Sequence, residues 1–110
     1  MKQNREFQFV YKRGKSAHAH SLVLFYLPSA YDKKIGYTAS KKVGNAVVRN
    51  RSKRRLRALF TEYSAQINSG QYVLVAKAAI SKTSYESLKQ EYKKVLTKAG
   101  VITHDKRSTS

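Results

Sequence analysis

The sequence has no cysteine and no tryptophan, a single proline, and only six acidic residues among 110. Each shortage removes a class of protein. Without cysteine there are neither disulfides nor thiolate metal sites, and a reducing compartment, the cytoplasm, is the natural expectation. The acids are Glu6, Asp32, Glu62, Glu86, Glu91 and Asp105. A metal-dependent nuclease needs several carboxylates converging on its ions, and no motif gathers three of these. No catalytic residue and no metal ligand is therefore expected. His18 and His20 form an H-x-H, which alone is a weak metal or acid–base signal, with a solvated pair or an RNA contact as the other readings. No nucleophile–base pair, glycine-rich phosphate loop or dinucleotide motif is present. The longest apolar run, Leu22 to Leu27, is far too short to cross a bilayer. The first residues carry Lys2 and Arg5 without a long apolar stretch, so no signal peptide is expected.

What the chain has in excess is positive charge. Lys and Arg number 23, for a formal charge of +17. Self-repulsion of that size makes sense when an anionic partner neutralises it. A membrane surface is the poorer partner, because the bases occupy polar positions with no exposed apolar face opposite them. The length suits one domain around one core, and neither internal repeats nor an interdomain linker is visible.

The charge concentrates between Lys41 and Arg57, where eight of seventeen residues are basic and none is acidic. Leu56, Leu59, Phe60, Tyr63 and Ile67 follow at helical spacing, so the charges are wound onto a helix that also has a core face. Asn45, after Gly44, is the candidate N-cap. Projected at 3.6 residues per turn, Arg51, Arg54 and Arg57 oppose the apolar stripe, Lys53 and Arg55 flank it, and Arg49 falls nearly in line with it. Arg49 is expected where the first turn overhangs the edge of the core. Like charges four residues apart cost an isolated helix roughly 0.2–0.5 kcal/mol each, and a helix prefers acids in its first turn. A locally unfavourable arrangement of this kind marks function, since a merely solvated face would mix both signs.

The remaining elements read in order. Residues 4–15 suit a short helix stopped at Gly14, although Phe7, Phe9 and Tyr11 also alternate like a strand. Three aromatics beside Lys12, Arg13 and Lys15 suit a stacking surface next to phosphate contacts; core packing is the competing reading. Leu22 to Leu27 reads as a strand buried on both faces, 28–34 as a loop, and Ile35 to Ser40 as a second strand antiparallel to the first. The basic helix is expected to end near Asn68-Ser69-Gly70, and Tyr72 to Ala76 is a third strand, giving a βαβ unit. Thr83 and Glu86 form a capping box for a last helix with Tyr85, Leu88, Tyr92, Val95, Leu96 and Ala99 on one face, ending at Gly100. His104 to Ser110 reads as a polar tail.

The run Ser40-Lys41-Lys42-Val43-Gly44-Asn45-Ala46-Val47, followed by Arg49-Asn50-Arg51, Lys53-Arg54 and Arg57, strongly resembles the signature of the protein subunit of bacterial ribonuclease P. The resemblance extends over nearly the whole chain, through the Phe7…Tyr11…Gly14 pattern, the strands and the closing helix. It implies an accessory subunit of a ribozyme, in which the RNA binds the catalytic Mg2+ ions and cleaves precursor tRNA to leave the mature 5′ end. By position, Lys41, Lys42, Asn45, Arg49, Asn50, Arg51, Lys53, Arg54 and Arg57 would contact the catalytic RNA. Phe7, Tyr11 and Phe25, with Lys12 and Arg13 nearby, would form the cleft for the precursor's 5′ leader.

Pattern and resemblance together give an α+β fold: a single-domain two-layer sandwich over 1–110, with a small mixed central sheet, three helices and a tail from about residue 101. The resemblance further implies a left-handed βαβ crossover, against the usual rule. Two residues depart from the family pattern. Ser52 stands on the core stripe where an apolar residue is usual, loosening packing or bonding back to the helix, and Ala58 leaves the helix more uniformly basic. Expected partners are ribonuclease P RNA and precursor tRNA, with no membrane and no DNA, and the protein alone binds no cofactor. A general structural RNA-binding protein, a DNA-binding regulator and a self-sufficient protein nuclease are the alternatives.

Overall fold

The computed structural model describes residues 4–29 and 33–101. Its elements are α1 (Asn4–Arg13), β1 (Lys15–His18), β2 (Leu22–Pro28), β3 (Lys33–Ala39), α2 (Ala46–Tyr63), β4 (Gly70–Ala76) and α3 (Tyr85–Ala99), with short 3₁₀ turns between some of them. The four strands form one mixed sheet in the order β1-β2-β4-β3.

Strand register fixes which side chains share a face, because alternate residues point to opposite sides. Leu22, Leu24 and Tyr26 of β2 align with Ala76, Leu74 and Tyr72 of β4. These pack with Leu56, Leu59 and Phe60 of α2 and with Leu88, Tyr92, Val95 and Leu96 of α3 in the main core. Val23, Phe25 and Val73 point the other way. That second face carries α1, seated by the fully buried Val10. Gly14 ends α1 where β2 passes so close that a Cβ would come within 2.6 Å of the Tyr26 carbonyl oxygen. The three helices and the α+β class match expectation, and strand β2 is buried on both faces as its composition requires.

Several boundaries differ from the sequence reading. β3 is not paired antiparallel with β2. It lies at the sheet edge, parallel to β4, which inserts between the two. β4 is the more apolar strand and takes a central place, while Lys33 and Lys34 of β3 suit an edge. The unit β3–α2–β4 is therefore a βαβ unit whose strands are direct parallel neighbours. The fourth strand, β1, leaves no sequence signal, because only Ala17 of its four residues is buried and an apolar alternation is lacking.

α2 stops at Tyr63 and passes into a 3₁₀ turn, Ser64–Gln66, short of the expected Asn68-Ser69-Gly70 end. Gly70 instead opens β4. The cap of α3 is Ser84, whose hydroxyl accepts from the Ser87 amide at 3.2 Å, so Thr83 is not the cap, the expected Thr83–Glu86 box is not the arrangement found, and the helix starts one residue later. Thr83 is engaged elsewhere: its hydroxyl donates to the Ala79 carbonyl at 2.9 Å and sits 2.6 Å from that of Ser21. Val101 is buried, and its carbonyl accepts from the Asn68 amide at 2.8 Å, so it belongs to the core. The rest of the expected tail, 102–110, lies outside the described residues, as does Asp32.

Candidate nucleic-acid interface

The basic stretch begins on a 3₁₀ turn, Lys41–Val43, pinned by the buried Val43 and leaving Lys41 and Lys42 exposed. Gly44 follows at φ +149, a conformation L side chains rarely adopt, and a Cβ there would come within 3.0 Å of Val48. This tight entry places Asn45 as N-cap, its Oδ1 accepting from the Val48 amide at 3.0 Å. The capping role leaves the Asn45 side-chain amide group to donate outward.

From that cap the helix sorts its residues as the projection requires. Ser52, Leu56, Leu59 and Phe60 are buried, while Asn50, Arg51, Arg54 and Arg57 are exposed and Arg49 and Lys53 half-buried. Ser52 is accommodated by donating to the Val48 carbonyl at 2.9 Å, the back-bonded arrangement open to a buried hydroxyl in a helix. Ala58 is exposed. Arg55 has a different task from its neighbours. Its guanidinium donates to the carbonyls of Ile80 at 2.8 Å and Thr83 at 2.5 Å, tying α2 to the turn before α3.

The first turn of α2 holds no acid and its last turn no base, the reverse of what the helix dipole favours. The ion pairs Lys34–Glu6 and Lys89–Glu62 draw on none of the bases between Lys41 and Arg57. Positive side chains are thus added to the helix end whose free amides already attract anions.

Between α2 and the edge strand β3 lies a groove of about 630 Å³, lined by Ile35, Gly36, Tyr37, Asn50, Lys53, Arg54 and Arg57. Its wall includes a ring that the sequence reading did not single out. The Arg57 guanidinium lies over Tyr37, 5.6 Å from the ring centroid, and the ring meets Phe60 edge-on at 6.5 Å. Burial pushes the Tyr37 hydroxyl pKa up, partly opposed by the Arg57 charge. Strand alternation put Tyr37 opposite Leu74 on the helix-covered face, but only the βαβ packing brings it to Arg57.

The other expected site gathers on the opposite side of the sheet. Phe7 and Tyr11, one turn apart on α1, have ring centroids 6.4 Å apart, and Tyr11 meets Phe25 of β2 at 4.7 Å in an edge-on contact. All three rings are half-buried, so core packing and ligand contact are both open to them. Burial raises the Tyr11 hydroxyl pKa. Lys12 is exposed, whereas Arg13 stacks on Phe9 at 5.3 Å on the far flank of α1. A second cavity of about 400 Å³ on that flank is lined by Arg5, Glu6, Phe9, Lys34 and Gln71. His18 and His20 are exposed, at the end of β1 and just beyond it. Among the described residues no three His, Asp or Glu side chains gather as a metal site, and no helix is long and apolar enough to cross a membrane.

A single α+β domain that presents an arginine-rich helix from a βαβ unit carries the electrostatic footprint of the nucleic-acid-binding class. The family model for Ribonuclease P matches residues 1–100. The ribonuclease P protein component of a Nitratiruptor species is 49% identical over 96 residues, covering 87% of each chain. That of Syntrophomonas wolfei is 40% identical over 101 residues, covering 90% of this chain and 85% of the relative. The solved structure of the Staphylococcus aureus RNase P protein superposes with a TM-score of 0.83 at 28% identity, over 94% of this chain and 96% of that one. The chain belongs to the ribonuclease P protein family. Its general role is that family's: a protein component that works with an RNA subunit in an endoribonuclease of tRNA processing.

Proposed function

We propose that this chain is the subunit through which ribonuclease P RNA and the 5′ leader of precursor tRNA are held together for endonucleolytic removal of the leader. The exposed face of α2, which no acid pairs among the described residues, is the observation that carries this reading. Arg51, Arg54 and Arg57 project from one side of the helix, with Asn50 and Lys53 at its edge. Arg49, Asn45, Lys41 and Lys42 extend the positive surface past the helix start. Arginine forks bind phosphate bidentately and stack on bases, so this face suits the folded RNA subunit. On the opposite sheet face, the rings of Phe7, Tyr11 and Phe25 offer a sequence-tolerant stacking surface for the single-stranded leader, with Lys12 at the helix end beside them and Arg13 extending the positive charge along the flank that carries Phe9. The cleavage chemistry belongs to the RNA and its Mg2+ ions. The setting is cytoplasmic, with neither DNA nor membrane as a partner.

In mechanism, the protein's part is electrostatic and positional. Neutralising phosphates where two RNAs meet lowers the Mg2+ needed to bring them together, and holding the leader adds binding energy beyond the cleavage point. The test is cleavage of precursor tRNA by a bacterial ribonuclease P RNA at low, near-physiological Mg2+, with and without the protein. Strong stimulation, lost in an Arg49→Ala/Arg51→Ala variant that retains its fold, is expected. Salt-dependent RNA binding without stimulation would leave only a general RNA-binding protein. Cleavage by the protein alone would overturn both readings.

A further inference from the structure

We infer that the groove between α2 and edge strand β3 is a slot for one unpaired nucleotide, whose base stacks on the Tyr37–Arg57 pair while Lys53 and Arg54 hold its flanking phosphates. The inference deepens the proposed RNA-binding role of α2 and rests on it. Three observations carry it. The groove has the volume of a small-ligand site, about 630 Å³. Among the described residues its lining joins three cations and one amide to a recessed aromatic ring and contains no carboxylate. The guanidinium already lies over that ring at 5.6 Å, so a flat cationic ledge exists before any RNA arrives. Bases within a duplex have no free face to offer such a ledge, whereas loops, bulges and single strands do. Asn50, exposed beside the ring, can donate to and accept from a base edge. The ring is braced from behind by Phe60, which holds it in place without a hydrogen bond.

Stacking and charge are separable by salt. Affinity for ribonuclease P RNA is measured against salt concentration for the wild type, Tyr37→Leu, Tyr37→Phe and Arg54→Ala. Tyr37→Leu keeps an apolar group against Phe60 and removes the ring. It is expected to weaken binding roughly 5- to 150-fold, the range for one stacked base, without changing the salt slope. Tyr37→Phe keeps the ring and is expected to bind as the wild type does. Arg54→Ala is expected to lower affinity and to flatten the log–log slope by about 0.7.

Wild-type affinity in Tyr37→Leu, with Arg54→Ala still impaired, would overturn the slot and leave the α2 contact standing. If both variants bind normally, the α2 reading falls and the slot with it. A second readout covers the case in which Tyr37→Leu loses stability. With 3-fluorotyrosine at position 37 of the otherwise unchanged chain, the 19F resonance is expected to shift on adding ribonuclease P RNA, and an unmoved resonance would overturn the slot.

Discussion

The two faces of the sheet use different physics. On one, α2 displays Arg51, Arg54 and Arg57, which no acid pairs among the described residues, and its strand neighbour adds a recessed ring, Tyr37, to the groove. On the other, α1 and β2 bring Phe7, Tyr11 and Phe25 into one cluster. Charge contacts are long-ranged and salt-sensitive and suit a large structured RNA. Ring contacts are short-ranged and indifferent to sequence, and suit a strand whose bases differ between precursors. A second contrast lies within α2 itself. Arg54 and Arg55 are chain neighbours, yet Arg54 lines the open groove while Arg55 bonds two carbonyls of the turn before α3. Basic character alone does not assign a residue to the ligand; the partner atoms do.

The contrast can be broken most severely on the α2 side. Arg51→Ala/Arg54→Ala/Arg57→Ala should reduce affinity for ribonuclease P RNA by about two orders of magnitude at physiological salt. Thermal unfolding should show the variant at least as stable as the wild type, since exposed like charges are removed. Arg55→Ala should do the opposite. Leaving the Ile80 and Thr83 carbonyls without their charged donor should cost about 2–3 kcal/mol of stability in denaturant titrations, while the salt dependence of RNA binding stays as in the wild type.

On the aromatic side, Phe7→Ala/Tyr11→Ala should weaken binding of leader-bearing precursor by about 1–3 kcal/mol per base unstacked, with mature tRNA unaffected in parallel titrations. Equal losses on both substrates would remove the leader cleft from α1.

The smallest effect concerns the core that both faces share. The Tyr92 hydroxyl is buried with no hydrogen-bond partner among the described residues, so Tyr92→Phe should stabilise the fold by about 1 kcal/mol at neutral pH. Burial also holds the Tyr72 and Tyr92 hydroxyls protonated well above the ordinary tyrosine value of 10.0. Titration of these groups therefore costs the fold nothing below pH 10, and stability falls as pH rises beyond it, by about 1.4 kcal/mol per unit for each tyrosine. Tyr92→Phe should make the alkaline loss shallower in unfolding curves taken on either side of pH 10.

How far the sequence reveals this division depends on the range of the interactions concerned. The basic face of α2 was legible because helical periodicity and a cap at Asn45 are local, and the exposures of Arg51, Arg54 and Arg57 follow from them. Ser52 on the core stripe was legible too, and its bond to Val48 is one turn long. Strand order was not, since the insertion of β4 between β2 and β3 is set by which strand needs burial on both sides, a property of the assembled sheet. β1 escaped because an edge strand with one buried residue has no pattern to read. The one-residue shift of the α3 cap has the same origin: Thr83 is drawn into contacts with Ser21 and Ala79, and Ser84 caps in its place. Tyr37 joined the site through packing alone.

The measurement to make first is the slope of log affinity against log salt for ribonuclease P RNA, in the wild type, the α2 triple-alanine variant and the Phe7→Ala/Tyr11→Ala variant. If α2 carries the electrostatic contact, the triple variant's slope falls by about 1.4 to 2, at about 0.7 for each lost phosphate contact and the higher value if Arg57 also meets a phosphate, and the aromatic variant's slope stays as in the wild type. A triple variant with an unchanged slope, or an aromatic variant that flattens as much, would contradict the division of labour between the two faces.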